Sequence, residues 1–224
     1  MGDVVGDTIE LLRQSDLFRS FDPDVVALIA RECKVETFER NDRVFDAGDA
    51  ADDLFVVQRG RVAIATRSPE GRESVIALME DGDLFGEMGL FTEEGRSADA
   101  RALETSDLVR VPYPPIRGLF DERPTLLWPV VRFLSGRLRV TNSAVADAMF
   151  LDVTGRTAKR LLEVAGEADE FVLPLTQEEL ASMVGASRER VNKAIAAFVR
   201  LGWLTQSERR YKITDRVQLE RRSR

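Results

Sequence analysis

The spacing of apolar residues changes twice along the chain. Residues 7–33 carry them at helical intervals and read as two short helices, the second opening with Asp22 as cap and Pro23 in its first turn. From Thr37 the period falls to two. TFERNDRVF, DLFVVQRGRVAIATR, ESVIALME and ADARALETSDLVRVPY are strand-like runs, parted by turn residues at Gly48-Asp49, Arg59-Gly60, Pro69-Glu70-Gly71 and Asp81-Gly82-Asp83. Short, evenly spaced strands with glycine turns predict a small antiparallel sandwich or roll. Pro114-Pro115 stops the last strand and starts a short helix ending near Phe120. Helical spacing then returns over Leu126 to Asp152, where Leu127, Val131, Leu134, Leu138, Thr141, Val145 and Ala148 recur at alternating steps of four and three. That is an a/d seam of about three heptads, as two helices lying side by side require. A single amphipathic helix resting on its own domain's core fits the same pattern. The polar interruption at Thr141, with Asn142 beside it, argues for pairing, because a polar seam position costs stability unless it sets register or meets a ligand. Pro129 places the start of regular helix near Trp128, or a kink there.

Beyond Asp152 a helix (Arg156 to Ala165) leads through an acidic loop into LTQEELASMVGASRERVNKAIAAFVRLGWL. Thr176 and Glu179 form a capping box. Ala181, Gly185 and Val191 fall where two helices joined by a tight turn need a small contact, a turn glycine and a core residue. Ser187 caps the second helix. Val191, Ala194, Ile195, Phe198 and Val199 line its apolar face, and Arg188, Glu189, Asn192, Lys193 and Ala196 line the other. The polar face suits base edges, with arginine bidentate to guanine and glutamate to the cytosine amine. GWLTQSERRYKIT reads as a two-stranded wing whose Arg209, Arg210 and Lys212 can touch phosphates. The expectation is an α+β chain: an antiparallel β-roll over 1–123, a long dimerisation helix over 124–151, and a winged helix-turn-helix over 152–224.

Charge sharpens this division. The net charge of −7 suits a nucleic-acid binder poorly until it is split: 14 Lys/Arg stand against 11 Asp/Glu from Asp152 onward, and 11 against 4 from Ser187 onward, whereas the first 151 residues hold 18 against 28. An acidic body with a basic, DNA-facing end is the implied arrangement. The absence of histidine excludes a Ser-His-Asp triad and His-ligated zinc or haem, and one cysteine cannot hold an iron–sulfur cluster. No nucleophile–base pair suggests an enzyme. Cys33 reads as a small buried residue on a helix, with a redox sensor as the alternative. No apolar run approaches bilayer length and the acidic N-terminus lacks signal-peptide features, so cytoplasmic residence is expected.

FGEMGLFTEEGRS (Phe85 to Ser97) breaks the strand alternation with Gly86, Gly89 and Gly95 set among charges that include Glu87 and Arg96. Glycines let backbone N–H groups approach a bound group, and such donors beside an arginine make an anion cradle. Glu87 would repel the anion but can accept from hydroxyls on the same ligand. Phosphate and hydroxyl together describe a nucleotide. An ordinary loop with a surface Glu–Arg pair is the competing interpretation.

Taken together, GDAADDLFVVQRGRV, FGEMGLFTEEGRSADARA, GRLRVTN, FLDVTGR and the TQEELASMVGASRERVNKA block resemble the cyclic-AMP receptor protein (CRP/FNR) family of transcription regulators over nearly the whole chain. The resemblance implies a cyclic AMP site in which Gly86 and Glu87, with Met88 next to them, meet the ribose and Arg96 and Ser97 hold the phosphate. Arg137 would support them, Thr141 would bond the adenine amine, and Asn142 would reach the partner subunit's nucleotide. It also implies DNA contacts from Thr176, Gln177, Ser187, Arg188, Glu189, Arg190, Asn192, Lys193 and Arg209. Asn142 stands where many members have serine, and Lys193 where arginine is usual. A TGTGA-like half-site is therefore expected, relaxed at the base Lys193 reads, since lysine cannot make the bidentate fork.

The resulting expectation is a homodimer paired along 127–148, with RNA polymerase as a further partner. Cyclic AMP would favour one helix register, and the hinge at Phe150-Leu151-Asp152 would set two recognition helices about 34 Å apart on a palindromic double-stranded operator. Two alternatives stay open: constitutive DNA binding weakly tuned by cAMP or governed by another effector, and a regulatory module for a partner enzyme or channel.

Overall fold

The computed structural model describes residues 2–67, 73–92 and 94–224. The expected turn at Pro69-Glu70-Gly71, and Glu93 of the TEEG loop, lie outside them. The chain divides into two compact units, residues 1–66 with 76–138 and residues 67–75 with 139–224.

In the first unit α1 (Gly2–Gln14) begins earlier than the periodicity suggests, and a 3-10 turn (Phe18–Ser20) leads into α2 (Pro23–Ala30). Pro23 takes the first turn of α2, where its missing N–H leaves nothing unbonded, but the Asp22 side chain makes no capping bond. Cys33 lies in the connection past α2 rather than on a helix. Its thiol donates to the Ile29 carbonyl at 3.3 Å, and burial, then the Glu32 charge, pushes its pKa up to about 12. That environment is the opposite of a reactive thiol's.

The strands are β1 (Lys34–Phe38), β2 (Arg43–Phe45), β3 (Asp53–Arg59), β4 (Val62–Arg67), β5 (Glu73–Met79), β6 (Leu84–Phe85), β7 (Asp99–Ala102) and β8 (Ser106–Pro112). They form two sheets, β1-β8-β3-β6 and β2-β7-β4-β5, with β1–β8, β3–β8, β3–β6, β2–β7 and β4–β7 antiparallel. β3 explains how the roll closes. Its side chains alternate, so Leu54 and Val56 enter one cluster with Phe18, Val25, Ile29 and Ile116, while Phe55 and Val57 enter another with Val62, Phe85 and Leu108. Both faces are covered, which is why the strand reads as an unbroken apolar run. Each such side chain contributes about 1.5–3 kcal/mol on burial.

α3 (Tyr113–Glu122) follows β8 directly, and a 3-10 turn (Pro124–Leu126) leads into α4 (Leu127–Phe150). Both readings of this helix find a face. Val130 and Phe133, one step off the seam, are buried in the roll's own core with Leu126. The seam itself stays open, with Leu127 39%, Val131 49%, Leu134 36%, Leu138 61% and Val145 54% exposed.

The second unit contains α5 (Val153–Ala165), β9 (Glu170–Val172), α6 (Gln177–Val184), α7 (Arg188–Arg200), β10 (Leu204–Ser207), β11 (Arg210–Ile213) and α8 (Arg216–Arg222). α5 begins three residues before its expected start, capped by Asp152, whose carboxylate accepts from the Gly155 N–H at 2.8 Å. The wing is three-stranded, ordered β10-β11-β9, because the stretch expected as an acidic loop supplies β9. α8 carries no strong periodicity and was not expected. The capping box at Thr176 and Glu179 is present, and Gly185 closes α6 at φ +67, a left-handed conformation that suits glycine. Val191, Ala194, Ile195 and Phe198 are buried as expected, whereas Val199 is 41% exposed.

Candidate functional sites

Two ion pairs flank Gly86, one buried on both sides and one with its arginine partly exposed. Glu87, 3% exposed, accepts from Arg137 Nη1 at 3.0 Å. Arg137 comes from α4, also donates to the Leu84 carbonyl, and lays its guanidinium 4.8 Å from the Phe133 ring one turn back. Arg96, 8% exposed, is held separately. Its Nη2 donates to the Asp53 carboxylate at 2.5 Å and its Nη1 to the carbonyls of Asp53 at 2.7 Å and Gly86 at 3.1 Å. Phe45 lies beneath the guanidinium, 4.2 Å away. Glu87 and Arg96 therefore form no surface pair with each other. Among the described residues Arg96 Nε is buried with no hydrogen-bond partner. A buried, unmatched guanidinium donor is costly unless something accepts from it.

The backbone explains how these groups converge. Gly86 has φ +79, and a Cβ there would lie 2.8 Å from Arg96 Nη1, so glycine admits the arginine. At Gly89 and Gly95 an added Cβ would meet Ala51 Cβ at 2.4 Å and the Asp49 carbonyl at 2.7 Å, so the chain's own packing accounts for both. Arg96 N–H donates to the Asp49 carbonyl at 2.9 Å and the Gly48 N–H to the Arg96 carbonyl at 2.8 Å, tying the segment to the 48–49 turn. Ser97 Oγ donates to Met88 Sδ at 3.2 Å, with Met88 53% exposed. Thr141 and Asn142 are exposed on the part of α4 that belongs to the second unit.

Four residues not singled out in the sequence complete the site. Asp53 sits at the head of β3, and Arg110 on β8 donates to its second carboxylate oxygen. The Tyr113 hydroxyl donates to the Gly86 carbonyl, and burial pushes that phenol up to about 12. Arg117 donates to the Gly89 and Leu90 carbonyls at 3.0 and 3.2 Å, fixing the turn that carries Met88. The available signals were a charge at the head of an apolar strand for Asp53 and a lone arginine inside DLVRVPY for Arg110.

In the second unit Arg188, Glu189, Arg190, Asn192 and Lys193 are exposed together on α7, with Glu189 and Lys193 paired at 2.7 Å. Thr176 and Ser187 use their hydroxyls as caps, accepting from Glu179 N–H at 3.1 Å and Arg190 N–H at 3.4 Å. Two expected DNA contacts have internal partners. Gln177 Nε2 donates to the Tyr211 hydroxyl at 2.8 Å, and Arg209 donates to the Leu173 and Pro174 carbonyls at 3.1 and 2.9 Å. Among the described residues no helix is long and apolar enough to cross a membrane.

Comparison with known proteins divides the chain likewise. Residues 35–123 match the cyclic nucleotide-binding domain family and residues 155–222 the Crp-like helix-turn-helix domain family. A CRP-like cAMP-activated global transcriptional regulator of Mycobacterium tuberculosis is 36% identical over 222 residues, covering 96% of this chain and 99% of the relative. The cAMP-activated global transcriptional regulator Vfr of Pseudomonas aeruginosa is 33% identical, covering 76% of this chain and 84% of the relative. Among solved structures, the c-di-GMP responsive global regulator CLP of Xanthomonas campestris superposes with TM-score 0.73 at 26% identity, covering 86% of this chain and 99% of that one.

Proposed function

The chain belongs to the CRP/FNR family of transcription regulators, and from that premise we propose that it is a homodimer whose affinity for a palindromic operator rises on binding cyclic AMP. The observation that carries the ligand reading is Arg96: a buried cation with an orphaned Nε, next to Ser97 and under Gly86, suits a small anion. Ser97 would give up its bond to Met88 to donate to the phosphate. Glu87, held by Arg137, keeps a second oxygen able to accept from ribose hydroxyls. Thr141 and Asn142 would complete the adenine side from α4, in one subunit and its partner respectively.

The open seam of α4 supports dimerisation, because five exposed apolar residues on one stripe find cover when two copies pair. On DNA, Arg188, Glu189, Asn192 and Lys193 would face base edges. Thr176, Ser187 and Arg190 would meet the backbone beside them, and Gln177 and Arg209 would contribute mainly by tying the wing to α6. RNA polymerase would be the further partner and the cytoplasm the site of action.

The test is calorimetric titration of cAMP into the purified protein, beside Ser97→Ala, which removes one phosphate donor without exposing Asp53. Micromolar or tighter binding to the parent, weakened about tenfold in the variant, is expected. Equal affinity would remove Ser97 from the site. The likeness to a c-di-GMP responsive regulator gives a second reading, and a c-di-GMP titration that binds where cAMP does not would favour it.

A further inference from the structure

Asp53 carries two cations at once. Its side chain is 5% exposed, one carboxylate oxygen accepts from Arg96 Nη2 at 2.5 Å, and the other accepts from Arg110 Nε. Arg110, 46% exposed, reaches on to Glu36 at 3.2 Å. A line of alternating charge, Glu36–Arg110–Asp53–Arg96, thus runs from the surface of the roll to the anion cradle.

We propose that this relay sets how much of the Arg96 charge is left for the ligand's phosphate, with Asp53 as a positioning residue and Arg110 as its distal control. The inference rests on the reading of residues 86–97 as a cyclic nucleotide site. The pose of Arg96 does not depend on the Asp53 carboxylate alone. The backbone carbonyls of Asp53 and Gly86 hold Nη1, and Phe45 lies beneath the guanidinium. The carboxylate therefore acts chiefly through its charge, which is felt strongly where water is excluded. It attracts Arg96 and repels an incoming phosphate, and Arg110 offsets that repulsion. Neutralising Arg110 leaves the whole Asp53 charge bearing on Arg96. Neutralising Asp53 while keeping its shape frees Arg96.

The relay therefore predicts opposite signs from two neighbouring substitutions, whereas structural damage would weaken binding in both. Calorimetric titration of cAMP into the full chain should give about threefold or more tighter binding for Asp53→Asn and about threefold weaker binding for Arg110→Gln. Arg110→Lys, which keeps the charge, should stay close to the parent. The Arg110 effect should shrink between low and high salt, because its head group is solvent-exposed. Two variants moving in the same direction, or an Arg110→Gln protein with parental affinity, would overturn the relay. Should Asp53→Asn fail to fold, the Arg110 pair still decides. A parent that takes up no cAMP would instead overturn the underlying site reading.

Discussion

Glu87 is 3% exposed, and its partner Arg137 arrives from fifty positions further along the sequence. Removing the carboxylate takes away the proposed acceptor for ribose hydroxyls but leaves Arg137, 38% exposed, its bond to the Leu84 carbonyl. Glu87→Ala should therefore cost stability of about 1 kcal/mol but more than tenfold in cAMP affinity. Urea melts and calorimetry on the same preparation measure the two, and a variant that binds normally would take Glu87 out of the ligand site. Gly86, Glu87 and Arg96 were picked out as candidates because glycines and charges interrupt a period-two run, and Ser97 only through the family resemblance. Asp53, Arg110 and Tyr113 were not, because their roles depend on the register that sets Asp53 against Pro112 and Leu54 against Val111, across more than fifty residues. The internal partners of Gln177 and Arg209 were hidden for the same reason: nothing near them in sequence announces that the Tyr211 hydroxyl and the 173–174 carbonyls come within reach.

Two elements decide what the second unit and the proposed dimer can do. α5 is capped by Asp152, which also pairs with Arg222 from the last turn of α8. The Gly155 N–H foremost, and Arg222, hold this carboxyl below the usual aspartate value of 3.8. A depressed folded value means the stabilisation is present above that ordinary value and is lost as pH falls through the lower, folded one. Acid titration of the melting temperature should therefore fall more steeply below about pH 4 in the parent than in Asp152→Asn, with a cap worth about 1 kcal/mol at neutral pH. Asparagine also caps, so identical acid limbs would show that the ionised carboxylate adds no stability beyond a neutral cap. The capping box of α6 was readable from sequence because caps are local. α8 and β9 were not, because both are held by tertiary partners, Asp152 and β11, rather than by their own periodicity. α4 was legible in period and ambiguous in partner: one face meets the roll at Val130 and Phe133, and the other waits at Leu138 and Val145. Leu138→Arg places a charge on the open face without touching the buried one. In a symmetric dimer each substitution counts twice, so two leucine burials of about 1.5–3 kcal/mol each are lost. Sedimentation should find a folded monomer, and an intact dimer would remove the seam from the interface.

Across the whole molecule the proposed effector site centres on the first unit and the proposed operator face lies in the second, so regulation would reduce to one coupling free energy between the two ligands. Each ligand can shift the equilibrium only by its preference for one state over the other. The +7 end, 11 basic against 4 acidic residues from Ser187 onward, gives DNA a sequence-independent attraction that exists with or without effector. That attraction sets a floor under the ligand-free affinity and favours a modest ratio. The expected change in operator affinity on saturating with cAMP is about 5–150-fold, the range of ordinary coupling energies. Reciprocity makes this checkable from the other side: operator DNA must tighten cAMP binding by the same factor, in the same buffer and salt. Fluorescence anisotropy on labelled operator gives one ratio and calorimetry with and without operator gives the other. Equal ratios above five support an effector-driven switch. Two ratios near one would make DNA binding constitutive, and unequal ratios would mean that dimer assembly is coupled to one of the two steps.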